Sequence, residues 1–442
     1  MTRTSFLRTV TRPLAVAAVL ALAAAGCTDN PSAAPNGDGT QAGAGPIGVR
    51  ITDECCEIYT TETPSGPVTF SISNEGSVPN EFEVLASDKL RIVTEKENIG
   101  PGSTVELTTG LEKGDYFTAC KPNMVGALVG TAPFTVTQGE ALAVDEDIQR
   151  LRDDAVTNYT AYIEDQAGQL VSATEDFREA YLAGDSEKAQ DLYVLARRHF
   201  ERIEPTAEAF GIEEPGDLDA ALDLRIQDLS AAADTPVTDP ELLAGWTGWH
   251  RIEADLFSDD AAFRFPDDAS RQQVADQLVE DTYTLYDLVT GKDDTGSEKF
   301  AVTLEDVTLG AGELMEEVAT SKIVGEEETF SHTDLDDFQA NLDGANVAYG
   351  NVQKIVEKED PELAQEIADG FDAVQEELSA HQAGEWEDGT PRYVDYSTVA
   401  TVQEDAGQTP KDSDYTDAQR ELSVAVNALS DELAQVPAVV LS

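Results

Sequence analysis

Two periodicities divide the chain. Between residues 46 and 138, apolar and polar positions alternate in short runs: VRI, VTFSIS, NEFEVLA, LRIVTE, STVELTT, GDYFTAC and FTVT. Pro-Ser-Gly-Pro, Asn-Glu-Gly, Gly-Pro-Gly and Lys-Gly-Asp separate them, each a turn signal. About seven β-rich runs in roughly 90 residues predict an all-β sandwich. From residue 140 to 442 the period changes. Apolar residues recur every three or four positions, as in Val156, Tyr159, Ile163 and Leu170, or Leu192, Leu195, Phe200 and Ile203. That spacing lines one helix face, so this half is expected to be an all-α helical bundle. The join at Gln138-Gly139-Glu140 is short.

The N-terminus reads differently. Arg3, Arg8 and Arg12 precede an apolar run, Leu14 to Ala25, with the length of a signal-peptide core rather than a membrane span. It ends in Ala24-Ala25-Gly26-Cys27, which resembles a bacterial lipobox. Residues 1–26 are therefore expected to be a lipoprotein signal peptide. Cleavage would leave Cys27 lipidated and the protein anchored on the extracytoplasmic face of the cell membrane. The plainer alternative is an ordinary secretory signal with an incidental cysteine. Residues 27–45 are small and polar and are expected to form a flexible tether. No later run is long and apolar enough to cross a bilayer.

Charge narrows the partners. The formal net charge is −59, from 87 acids against 28 lysines and arginines. That excludes nucleic acid, whose phosphates require basic residues, and fits cation binding. Most such acids are nonetheless a solvated surface, and Glu326 and Asp336 are read that way. If Cys27 carries lipid, Cys55, Cys56 and Cys120 remain. Adjacent cysteines rarely pair with each other, so Cys120 is expected to be disulfide-bonded to Cys56 or Cys55. Thiolate metal ligation by Cys56 and Cys120 stays open.

The candidate chemistry lies in Gly245-Trp246-Thr247-Gly248-Trp249-His250-Arg251-Ile252-Glu253. His250 and Glu253, three apart, share a helix face and can hold one cation. With four histidines and 87 acids in 442 residues, chance alone supplies about 0.8 such pairs, so the spacing carries little by itself. The flanking tryptophans and glycines point to a tightly packed helix start. Glu204 and Asp223 lie on apolar-patterned segments and could face inward, where a metal would offset their burial.

Longer motifs say more. HFERIEPTAEAF, GWTGWHRIEADLF and SKIVGEEETFSHTDLDDFQANLDGA together resemble the imelysin-like domain of the EfeO family of iron-uptake components. DECCEIY, NEFEVL, VTEKENIGPG and GDYFTAC resemble that family's N-terminal cupredoxin-like domain. The resemblance covers nearly the whole chain after the tether and implies a cupredoxin-like sandwich (46–138) followed by an imelysin-like bundle (140–442). It implies iron, as Fe2+ or Fe3+, captured outside the membrane and passed to a membrane ferrous-iron permease, with a haem peroxidase as second partner. Carried over, the metal ligands would be Glu204, Asp223, His250 and Glu253, with Glu327 of the Gly-Glu-Glu-Glu run a weaker fifth. A second site in the β-domain would use Cys56, Glu81, Glu95 and Cys120. The chain departs from the family pattern at Lys121-Pro122-Asn123-Met124. Residues 46–137 contain no histidine, so an ordinary type 1 copper centre cannot form there unaided.

Two other functions compete. A metallopeptidase-like hydrolase of the imelysin class is one, but HExxH is absent and Ala254 follows Glu253, so HxxEH is absent too. Redox handling of iron or copper by the β-domain is the other. Zinc and copper are the alternative metals, and no enzymatic role is expected.

Overall fold

The computed structural model describes residues 45–53, 55–85, 92–111, 113–122, 128–139, 146–208, 218–291, 301–386, 389–403 and 409–442. The expected signal peptide, Cys27 and nearly all of the tether lie outside them. The β-part comprises β1 (Ile47–Ile51), β2 (Cys56–Ile58), β3 (Glu62–Pro64), β4 (Gly66–Asn74), β5 (Asn80–Leu85), β6 (Ile92–Ile99), β7 (Thr104–Leu111), β8 (Gly114–Pro122) and β9 (Val129–Thr137). They form two sheets, ordered β2-β1-β4-β7 and β3-β9-β8-β5-β6. The alternation seen in the sequence orients them: Val68, Phe70 and Ile72 of β4 face inward, and Phe82 and Phe134 of the second sheet meet Phe70 across the core. β2 and β3, three residues each, are too short to show a period and add to the expected strands.

Every residue of β5 is buried, not only the core-facing half. Phe82 and Val84 point into the sandwich, while Glu81 and Glu83 lie on the sheet's other face. In register, Glu83 opposes Glu95 of β6 and Glu81 opposes Lys121 of β8. Three acids and a lysine thus gather on one covered face.

The helical part begins with α1 (Glu146–Ala183) and α2 (Ser186–Glu201), then the short α3 (Glu204–Glu208), α4 (Leu218–Asp223), α5 (Ile226–Ala233) and α6 (Pro240–Gly245). It continues with α7 (Gly248–Phe257), α8 (Asp268–Thr290), α9 (Leu304–Thr320), α10 (Asp334–Glu359), α11 (Pro361–Ser379), α12 (Asp417–Leu433) and α13 (Val436–Val440). Tyr159, Ile163, Leu170, Phe200 and Ile203 are in its core, as their spacing requires. The expectation of an all-α half needs one correction. A hairpin, β10 (Gln382–Glu385) with β11 (Pro391–Tyr393), sits between α11 and α12. It seats Trp386, whose indole donates to Asp336 at 2.8 Å. Asp336 is accordingly no surface acid: it is 3 % exposed and also pairs with Arg198 at 2.8 Å. Among the described residues no helix is long and apolar enough to cross a membrane.

The two parts touch along α9. Leu309 packs against the sandwich core, Lys96 pairs with Glu316, and the Asn98 amide donates to Thr320 at 3.1 Å.

Candidate metal centre

The site is built around the start of α7. Gly248 has φ +83°, and a Cβ there would lie 2.3 Å from the carbonyl oxygen of Leu222. Only glycine lets α7 begin against the end of α4, which places Asp223 beside His250. The two tryptophans lock this arrangement. Trp246 donates to the Leu224 carbonyl at 2.6 Å, and Trp249 is fully buried between Phe177 and Tyr193.

His250 is 2 % exposed. Its Nδ1 lies 3.1 Å from Glu253 Oε2. An ionised carboxylate only accepts, so Nδ1 carries a proton and Nε2 is the nitrogen left for a metal, which would have to displace any proton held there. Among the described residues that Nε2 has no hydrogen bond of good geometry, and it faces Asp223 Oδ1 and Glu327 Oε1 at 3.3 Å each. A metal with bonds of about 2.1 Å to nitrogen and oxygen separates tetrahedral ligands by about 3.4 Å. These three donors are spaced accordingly and all lie within 4.8 Å of one another. Imidazole with carboxylates is a set for iron or zinc rather than Cu(I).

Glu253 has both carboxylate oxygens engaged. Its Oε1 accepts the backbone N–H groups of Phe330 and Ser331 at 2.7 and 2.8 Å, and its Oε2 holds the imidazole. Both oxygens face away from the Asp223–His250–Glu327 set, which is the geometry of a group that orients an imidazole. Glu204 is one step removed. It gathers with Glu201, Asp223 and Glu327, while Lys322 takes Glu201 and Glu204 at 2.7 Å each.

Sequence reasoning missed the cations. Arg197, fully buried on α2, pairs with Glu201 and Asp223, reaches Glu327 at 3.1 Å and meets Glu328 at 2.7 Å. Arg225 holds the other oxygen of Glu327 at 2.9 Å. The available signal was Arg197 four residues before Glu201, both on an apolar helix face. Lys322 carried little, because Glu201 and Glu204 lie more than a hundred positions away and Glu317, at 3.4 Å, is five residues before it, off the helical spacing.

These charges sort the acids. Burial alone would raise Asp223, but Arg197 and His250 hold it below the usual carboxylate range. Burial would likewise raise Glu327, yet Lys322, Arg225 and His250 carry it well below. Glu204 goes the other way: burial and then the charge of Glu317 push it well up despite Lys322. Asp223 and Glu327 are thus the carboxylates that these charges hold ionised. His250 would be lowered by burial, but Asp223 raises it well above the ordinary imidazole value.

In the β-part, Cys56 and Cys120 are joined by a disulfide, so in this state neither offers a thiolate. What remains is Glu81 and Glu95 with Glu83, a carboxylate cluster that sequence reading had not completed. Lys121, the departure from the family pattern, sits on it, at 3.1 Å from Glu83 and 3.6 Å from Glu81. Burial pushes Glu81 up to about 6 and Glu97 up to about 7.

With this geometry in hand, the comparisons can be placed. Residues 155–436 match the imelysin family, which carries a peptidase label, and residues 14–130 match the cupredoxin-like domain family. The iron uptake system component EfeO of Escherichia coli O157:H7 is 33% identical over 393 residues, 88% of this chain and 90% of that protein. EfeO of Yersinia pestis is 32% identical over 390 residues, with the same coverage. The chain belongs to the EfeO family. In this chain the cupredoxin-like match precedes the imelysin match.

Proposed function

We propose that this EfeO-family chain is an extracytoplasmic iron-binding component of an iron-uptake system. It captures iron and delivers it to a membrane ferrous-iron permease, with a haem peroxidase as a further partner. Residues 1–26 serve as a lipoprotein leader, Cys27 as the lipid anchor and 27–45 as the tether that lets the domains 46–138 and 140–442 work at the membrane surface. The observation that carries the metal reading is the convergence of His250 Nε2, Asp223 Oδ1 and Glu327 Oε1 in a buried, charge-sorted site. Glu253 orients the imidazole, and Glu204 supports the set through Lys322. The chain is a binder rather than a hydrolase, since each carboxylate near the donors is tied to a cation or to backbone N–H groups and none stands ready as a general base. In the β-domain, Glu81, Glu83 and Glu95 form the second metal site, an oxygen-only set suited to iron rather than copper.

The test is calorimetric titration of the mature chain with Fe(II), anaerobically, and with Fe(III). His250→Ala and Glu327→Ala should each weaken binding at least about tenfold. Wild-type affinity in both would place the site elsewhere.

A further inference from the structure

Arg251 is a buried cation that the metal centre does not use. It follows His250 on α7, so it points about 100° away around the helix. It is 2 % exposed. Its Nη1 donates to the Phe263 carbonyl at 3.0 Å, and its guanidinium lies 3.7 Å from the ring centre of Phe265 and 5.8 Å from that of Trp246. Its Nε is buried with no hydrogen-bond acceptor among the described residues. The acid nearest along the helix, Asp255, is committed elsewhere. It takes Arg271 at 3.0 Å, the Tyr181 hydroxyl at 2.7 Å and the Phe265 N–H at 2.9 Å.

Among the described residues no carboxylate forms an ion pair with Arg251. The other buried arginines, Arg197 and Arg198, both have one. In a chain with 87 acids and 28 basic residues, a buried guanidinium that feels the charge of Asp255 but forms no ion pair goes against composition. It also goes against energetics, since a buried charge without a paired partner is strongly destabilising. Burial accordingly depresses its pKa, yet an arginine stays charged at neutral pH.

Arg251 lines a cavity of about 410 Å³, formed by the segments around α6, α7 and the start of α8. That is the size of a small-molecule site. Leu243, Phe265 and Val274 supply apolar wall, and Gln273 a polar edge. A second guanidinium, Arg264, lines it too; it donates to the Ser258 carbonyl at 2.6 Å and has no carboxylate partner among the described residues. Two arginines without acids, one of them buried, thus meet at one apolar cavity.

We infer that this cavity binds a small organic carboxylate with a short hydrocarbon body. The carboxylate takes the charge-assisted donors of Arg251 and Arg264, a match of planar groups. The hydrocarbon lies against Leu243, Phe265 and Val274. A phosphate is disfavoured because the apolar walls would leave part of its oxygen shell without donors. The inference does not depend on which metal the protein carries.

The experiment is titration calorimetry of the mature chain with benzoate and with butyrate, using benzamide and inorganic phosphate as controls. Trp246 fluorescence provides an independent readout. Two variants, checked first by thermal melting, keep the test independent of Arg251's structural role: Arg264→Ala removes an exposed guanidinium, and Val274→Trp fills the cavity. Saturable binding of at least one carboxylate is expected, with no binding of benzamide. Affinity should fall at least about tenfold in Arg264→Ala and vanish in Val274→Trp. The inference is overturned by any one of three results: no saturable binding of either carboxylate to folded wild type, unchanged affinity in both variants, or phosphate binding as tightly as the carboxylates.

Discussion

Gly248→Ala tests whether the metal donors are positioned by the contact between α7 and α4. The added Cβ would sit 2.3 Å from Leu222 O and 2.7 Å from its carbonyl carbon, both backbone atoms that no side-chain rotation can clear. Such contacts open to at least 3.0 Å, so the carbonyl must recede by 3.0 − 2.3 = 0.7 Å or more. Asp223 is the next residue, and its Oδ1 stands 3.3 Å from His250 Nε2. A displacement of that size exceeds the roughly 0.5 Å tolerance of a preorganised site. The backbone adds strain, since φ +83° costs a non-glycine residue about 1–2 kcal/mol. The crowding adds about 1–3 kcal/mol, for a total of about 2–5 kcal/mol. Gly245→Ala is the internal control: nothing lies within 4 Å of its added Cβ, and its φ is ordinary. Denaturant unfolding without metal and iron titration of both variants provide the readouts. Gly248→Ala should lose stability by that amount and bind iron at least about tenfold more weakly. Gly245→Ala should stay within about 0.5 kcal/mol of wild type. Equal behaviour of the two would refute the positioning argument.

Other outcomes follow from the same geometry. Glu253→Gln keeps a group able to accept the Phe330 and Ser331 N–H bonds but loses the charge behind the imidazole, so iron affinity should fall by less than in His250→Ala, within about 10–100-fold, by titration. Arg197→Met leaves Glu201, Asp223 and Glu328 without their shared cation; the metal-free protein should lose about 3–5 kcal/mol in urea unfolding, with part of it regained on adding metal. Glu305, on α9 beside Gly110 of β7, is pushed up to about 9 by burial, against an ordinary value of about 4.3. The folded state therefore holds a proton there that the unfolded chain has lost, and stability should decline as pH rises between those two values. Glu305→Gln should flatten that part of the melting-temperature profile, and an unchanged slope would remove Glu305 as its source. Cys27→Ser should abolish lipid labelling and membrane retention; a processed, retained variant would dismiss the lipid anchor.

What could be read in advance depended on the range of the interaction. The strand alternation of β4 and the helical spacing from Val156 to Leu170 are local, and they foretold the two halves. β2, β3 and the hairpin seating Trp386 are too short to carry a period. At the site, Glu253 shares a face with His250 as the spacing requires, but that very closeness turns it to Nδ1, leaving Nε2 for Asp223 and Glu327 from other segments. Asp336 looked like a surface acid because its partners, Arg198 and Trp386, are distant in the chain. The cations Arg225 and Lys322, which with Arg197 offset part of the repulsion among the site's acids, occupy positions that no periodicity announces.

Those three cations bear on how cargo leaves. A pocket of bare carboxylates would hold a metal tightly and resist giving it up, since departure would expose naked negative charge. Here the guanidiniums and the lysine ammonium already stand against Asp223, Glu327, Glu201 and Glu204. On the proposed iron-carrying function, the centre would act as an ion exchanger: loading would swap one set of positive charges for another and unloading would swap them back, so a carrier built this way could bind selectively and still let go.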